Sequence, residues 1–188
     1  TTIHRLPESY LACTKGAPDE VLRVCTRVYL GGVVAPLTDD MREDFRRVFH
    51  GFDFERVARF STRDVERLLK DASIVRHRGK IEAVINNARK ARKLAGEFGS
   101  LAAYFWRYEP DQATRPDVIT WDVLRGMTTS PEAIALSKDL KKRGWAFVGP
   151  TTVYAFMQST GMVNDHLVSC HRHTPCTALQ RSFNFADR

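Results

Sequence analysis

From about residue 60 onward, apolar residues recur three and four positions apart, the spacing that lines one face of a helix. Val65, Leu68 and Leu69 share a face, Asp64, Glu66 and Arg67 stand largely off it, and Ser61 or Thr62 is placed to cap the start. A second helix begins near His77 and turns Ile81, Val84, Ile85 and Ala88 inward. Arg89, Lys90, Arg92 and Lys93 gather towards its end, where cations suit the helix dipole. Phe98 to Trp106 predicts a short aromatic helix, and Thr114 to Ser130, interrupted by Pro116 and Gly126 and followed by Pro131, predicts a surface loop. The helical pattern of LSKDLKKRGWAFV is interrupted at Gly149 and Pro150, where Thr151 and Thr152 open a new helix, so this part reads as helix, hairpin, helix. The first residues follow a different period. They predict a strand at Tyr10 to Thr14, a helix from about Pro18 to Cys25, and a hairpin of Arg27–Leu30 with Val33–Leu37 turning at Gly31 and Gly32. The expected fold is mainly α, with a short N-terminal α/β segment.

A chain of 188 residues suits one domain with its own core. No apolar run approaches the ~18–20 residues of a membrane span, and the first residues lack the charged-then-apolar pattern of a secretory signal. The expectation is a soluble, cytoplasmic protein, with Cys13, Cys25, Cys170 and Cys176 as reduced thiols or metal ligands rather than a disulfide framework. The net charge of +7 is unevenly placed: residues 1–43 hold five Lys or Arg against six Asp or Glu, whereas residues 44–188 hold 24 against 16. A basic helical part attracts polyanions by counterion release, so nucleic acid is the natural partner, against the plainer reading of a solvated basic surface.

Three groups of residues carry candidate chemistry. At the hairpin, Gly149 allows close backbone approach, the amides of Thr151 and Thr152 open a helix, and Lys141, Lys142 and Arg143 stand nearby. That combination suits a DNA phosphate; an ordinary helix turn with a solvated face is the alternative. His166 and Cys170 lie one helical turn apart and could grip one zinc ion, although two ligands make only half of a structural site. Arg76, His77, Arg78 and Lys80 crowd a helix start, which calls for a bound anion or a neighbouring carboxylate, or else simple solvent exposure. Of the three tryptophans, Trp106 falls on an apolar face with Leu101 and Phe105 and reads as core, Trp145 braces the hairpin, and Trp121 stays a candidate for base stacking.

The stretch LKKRGWAFVGPTTVYAFMQSTGMVNDHLVSC, together with REDFRRVFHGFDFERVARFSTRDVERLLKDASIVRHRGKIEAVINNARK, resembles the DNA-3-methyladenine glycosylase I family over about residues 42–178. RHRGKI and VGPTT followed by MVNDH are its specific motifs. The resemblance implies a helix-hairpin-helix DNA glycosylase of base excision repair, acting as a monomer on double-stranded DNA with alkylated bases. Such an enzyme flips and hydrolytically releases 3-methyladenine. It also implies a structural zinc with His166 and Cys170 as two of its ligands. Related enzymes use an aspartate just before the histidine region to assist water attack; here Asn164 holds that place, so Asp165 is not assigned as the catalytic acid and no catalytic residue is named. The family relies instead on a methylated base that already carries positive charge.

This chain departs from the family before Arg42. The family's N-terminal third, with its other two zinc ligands and the tyrosine, tryptophan and glutamate of the base pocket, has no counterpart there. His4, Cys13, Cys25, His171, His173 and Cys176 are the available substitutes as ligands, and Glu43 and Asp44 are the nearest acids. Residues 8–41, through YLACTKGAPDEVLRVC, a Gly-Gly turn and VVAPLTD, resemble instead a fragment of the nucleotide-binding domain of P-type cation-transporting ATPases, where the lysine matching Lys15 helps bind ATP. The phosphorylated-aspartate motif and membrane helices of those pumps are missing, so no transport is expected. The chain therefore reads as residues 1–42, an atypical front segment, joined to residues 43–188, a glycosylase-like helical domain. A non-catalytic DNA-binding remnant of that family is the second reading.

Overall fold

A computed structural model describes residues 2–6, 9–13, 27–30, 33–36, 39–116 and 118–183, with those before residue 43 described as backbone. At the front, β1 (Thr2–Leu6) pairs antiparallel with β2 (Ser9–Cys13), with Thr2 opposite Cys13 and Leu6 opposite Ser9. The predicted strand is β2, begun one residue earlier; β1 was not foreseen. A second antiparallel pair joins β3 (Arg27–Leu30) to β4 (Val33–Pro36) with Leu30 opposite Val33, the register expected of the hairpin. Lys15, the helix expected at Pro18 to Cys25, and Gly31 and Gly32 lie outside the described residues.

Helices follow: α1 (Asp39–Val48), α2 (Phe54–Val57), α3 (Thr62–Lys70), α4 (Arg78–Phe98), α5 (Leu101–Phe105), α6 (Trp121–Gly126), α7 (Pro131–Lys142), α8 (Pro150–Thr160) and α9 (His173–Ser182). Ser61 caps α3 in a reciprocal box, with its backbone N–H and its hydroxyl donating to Asp64 Oδ2 at 2.8 and 2.9 Å. These bonds hold the Asp64 carboxyl below its usual range. His77 begins α4, its Nδ1 accepting from Lys80 N at 3.2 Å. Of the cations crowded there, Arg78 meets carboxylates, donating to Glu66 at 2.6 Å and standing 3.6 Å from Glu82, while Arg76 and Lys80 are exposed.

The 21-residue α4, about 30 Å long at 1.5 Å per residue, threads two apolar clusters. Ile81, Ile85 and Ala88 pack with Phe49, Val57, Val65 and Leu68 in the first. Leu94 belongs to the second, with Tyr104, Leu136, Leu140, Tyr154, Met157 and Met162. Trp106 packs against this second cluster as expected, its ring 5.0 Å from that of Phe183. The 114–130 stretch is not all loop: Thr120 Oγ1 accepts from Val123 N and starts α6, with Asp122 in its first turn and Gly126 at its end. No described helix is long and apolar enough to cross a membrane.

Candidate nucleic-acid and metal sites

Helix α7 stops at Lys142, earlier than its apolar pattern suggests, because Gly144 turns the chain at φ +80°. Gly144 N donates to Lys141 O at 2.9 Å and Trp145 N to Leu140 O at 3.0 Å, the paired bonds of a glycine-terminated helix end. Gly149, read as the break before a new helix, has an extended backbone (φ −65°, ψ 159°) and directly precedes α8. The hairpin is therefore residues 143–149, and α4 fastens it. Asn86 Nδ2 donates to Gly144 O, Asn87 Nδ2 donates to Ala146 O, and Ala146 N donates back to Asn87 Oδ1, all at 2.9 Å. From α7, the buried Ser137 hydroxyl donates to Val148 O at 2.6 Å. Asparagine is a weak helix former, so a pair of them in mid-helix was the available signal for this seat.

The cations divide into two kinds. Lys141 and Lys142 are exposed, as the DNA reading requires. Arg143 is not available in the same way, for its guanidinium forks onto Glu97 at 2.7 and 3.1 Å and also reaches Asp139 at 2.9 Å. Arg143 holds the Glu97 carboxyl below its usual range. Burial alone would push Asp139 up, but the Tyr104 hydroxyl, 2.7 Å away, and Arg143 more than offset it, so Asp139 is also lowered. Arg143 thus braces α7 against α4. A cation that the sequence reading did not assign to the hairpin, Lys90 of α4, lies against the turn, its Nζ 3.0 Å from where a Cβ on Gly144 would stand. Trp145 braces the hairpin as expected, its ring 6.3 Å from Phe105.

At the start of α8 no side chain caps the free amides, Thr151 and Thr152 are exposed, and a Cβ added to Gly149 would meet nothing within 4 Å. That is an open, positively polarised helix end. The cleft between α3 and α4, about 200 Å³, offers no comparable site, because Arg78 is paired with Glu66 and Arg89 donates to the carbonyls of Ala58 and Phe60.

The turn after α8 orders the metal candidates. Asn164 Nδ2 donates to His173 O and Thr177 Oγ1 at 3.0 Å, and its Oδ1 accepts from His166 N at 3.2 Å, so Asn164 ties the His166 turn to α9. The Asp165 side chain is 7% exposed, bound to Arg115 and accepting from Gln158 Nε2 at 2.6 Å. His166 Nδ1 and Cys170 Sγ are 3.5 Å apart. Two ligands at zinc–nitrogen and zinc–sulfur bond lengths on a tetrahedral ion stand about 3.6 Å apart, so the pair fits one half of a zinc site. Burial lowers the pKa of His166, favouring the neutral imidazole that binds metal. Among the described residues no three His, Cys, Asp or Glu side chains converge, so His171, His173 and Cys176 do not complete the set. The side chains of His4 and Cys13, and Cys25 altogether, lie outside what is described. Glu43 and Asp44 pair with Arg46 and Arg47 at 3.9 and 2.7 Å on the exposed side of α1. Trp121 is half exposed with Arg125 5.9 Å from its ring centre.

Comparison with known proteins places this arrangement. The methyladenine glycosylase family model matches residues 37–173. DNA-3-methyladenine glycosylase 1 of Escherichia coli is 46% identical over 130 residues, covering 69% of this chain and 68% of that protein. The Haemophilus influenzae DNA-3-methyladenine glycosylase is 40% identical over 139 residues, covering 72% and 70%. Among solved structures, a 3-methyladenine DNA glycosylase I crystal structure superposes with a TM-score of 0.63 at 42% identity over 71% of this chain and 72% of that one. The Staphylococcus aureus enzyme, solved for its recognition of 3-methyladenine, gives 0.62 at 32% identity over 71% and 70%.

Proposed function

Because the chain belongs to the methyladenine glycosylase family, we propose that it is a DNA glycosylase of base excision repair that releases 3-methyladenine from alkylated double-stranded DNA. The observation that carries the DNA half of this reading is the hairpin at 143–149: a helix-hairpin-helix with bare amides behind an unobstructed Gly149, and Lys141, Lys142 and Lys90 about it. Amides and lysines of this kind hold phosphates without reading sequence, leaving selection to the flipped base. With Asn164 stapling α9 and Asp165 locked by Arg115 and Gln158, the chemistry rests on the leaving-group quality of a base that is already cationic.

The test is release of 3-methyladenine from alkylated duplex DNA, run beside duplex affinity at several salt concentrations. Release is expected, with affinity falling steeply as salt rises. Gly149→Ile is expected to fold normally, since its backbone and surroundings admit a side chain, yet to bind DNA more weakly. Binding without release would favour the non-catalytic remnant, and salt-independent binding would remove the phosphate clamp. Residues 1–42 do not resemble the family's N-terminal third, to which the resemblance assigns the base-pocket groups, so the extent of release also tests what those residues contribute.

We also propose that His166 and Cys170 are two ligands of a structural zinc, on the strength of their 3.5 Å separation and the neutral imidazole. Metal analysis should find one zinc per chain, lost in Cys170→Ala; none in the unaltered protein would leave the pair idle. Finally, we propose that the residues ahead of α1 are a pump-domain fragment joined to the helical domain, with the β3–β4 hairpin in the register that reading expects; the join falls nearer residue 37 than 42, since α1 begins at Asp39 and the family match at residue 37.

A further inference from the structure

Phe147 combines two features that a folded chain ordinarily avoids. Its backbone is left-handed, at φ +58°, where residues with a Cβ are strained, and the residue is 63% exposed. His50 and Phe52 share the left-handed backbone at φ 52° and 59°, but Phe52 stacks on Phe49 with ring centres 5.8 Å apart. Among the described residues, Phe147 has no ring partner. Its conformation is imposed from both sides, since Asn87 holds the N–H and C=O of Ala146 and Ser137 holds the C=O of Val148. The chain thus presents an aromatic ring from the hairpin that joins the lysine-bearing end of α7 to the open end of α8.

We propose that Phe147 is a DNA-contacting wedge, its ring entering the groove of duplex DNA beside the phosphates that the hairpin holds. This rests on the DNA-binding reading above. Charge complementarity names the partner, because residues 44–188 carry 24 Lys or Arg against 16 Asp or Glu and the exposed Lys141 and Lys142 precede the turn. An apolar ring pressed against sugars or base edges is the usual complement to such cations. It also supplies a part of the affinity that salt does not weaken.

Phe147→Gly provides an unusual separation of effects, because glycine accepts the left-handed backbone without strain. The variant should unfold at the same temperature as the parent or higher, while its affinity for duplex DNA falls by about tenfold. Its salt dependence should keep the parental slope, whereas Lys141→Gln should make the slope shallower. Phe147→Leu, which keeps an apolar contact, should retain intermediate affinity. Parental affinity in Phe147→Gly would overturn the proposal, as would a loss of affinity matched by a drop in unfolding temperature. If the parent protein itself shows no salt-dependent binding, the underlying clamp falls and the wedge with it.

Discussion

Asp165→Ala should lower the unfolding free energy by about 3–5 kcal/mol, the loss expected when one partner of a buried ion pair is removed. Asp165 and Arg115 have side chains only 7% and 9% exposed, and Gln158 donates to the second carboxylate oxygen at 2.6 Å. Without the carboxylate, the Arg115 guanidinium is stranded away from water. Because the pair joins the segment before α6 to the turn that carries His166, the variant should also disturb His166 and Cys170. Replacing both charges, Arg115→Met with Asp165→Leu, should recover most of the loss, since the penalty lies in the orphaned charge rather than in a missing attraction. Urea unfolding of the single and double variants measures this. A single-variant loss under about 1 kcal/mol would mean that water reaches the pair and that it behaves as a surface bridge.

Asn87→Ala should be nearly as damaging and more informative about DNA binding. One side chain satisfies both the N–H and the C=O of Ala146, so its removal leaves two partly buried backbone groups without partners. At about 1–3 kcal/mol each, a total of about 2–6 kcal/mol follows. Affinity for duplex DNA should fall together with the unfolding temperature, although Asn87 lies on α4, behind the hairpin. Asn86→Ala, which releases the carbonyl of Gly144, should do less. Parental DNA affinity in a destabilised Asn87→Ala would show that the hairpin keeps its shape without this seat.

Local signals in the chain were reliable where local physics decides the structure. Ser61 before an apolar period, two extended runs at 27–30 and 33–36, and the inward face of α4 all depend on residues within a few positions of one another and formed as read, although α4 runs on to Phe98, so Arg89, Lys90, Arg92 and Lys93 fall in its middle and not towards its end. The hairpin did not follow this rule. Trp145, Phe147 and Val148 prolong the apolar pattern of α7, and nothing nearby in sequence shows that Asn86, Asn87 and Ser137 seize the backbone after Lys142. The break is therefore read at Gly149 and Pro150, where α8 does begin, whereas α7 already ends at Lys142. Arg143 shows the same limit for charge. Next to Lys141 and Lys142 it reads as a third DNA cation, but Glu97, from the end of α4, claims it. Helical spacing pairs His166 and Cys170, and although residues 164–170 form no helix, the turn there still brings Nδ1 and Sγ to 3.5 Å.

Helix α4 has a consequence for how this protein can change over generations. It supplies the apolar spine of one cluster near its start, enters the other near its end, and between them holds the hairpin from behind. The shape of the 143–149 turn therefore depends on residues 78–98, which lie far from it in the chain. A change at Asn87 could thus reshape the turn between α7 and α8 over generations without touching a single residue of the turn itself.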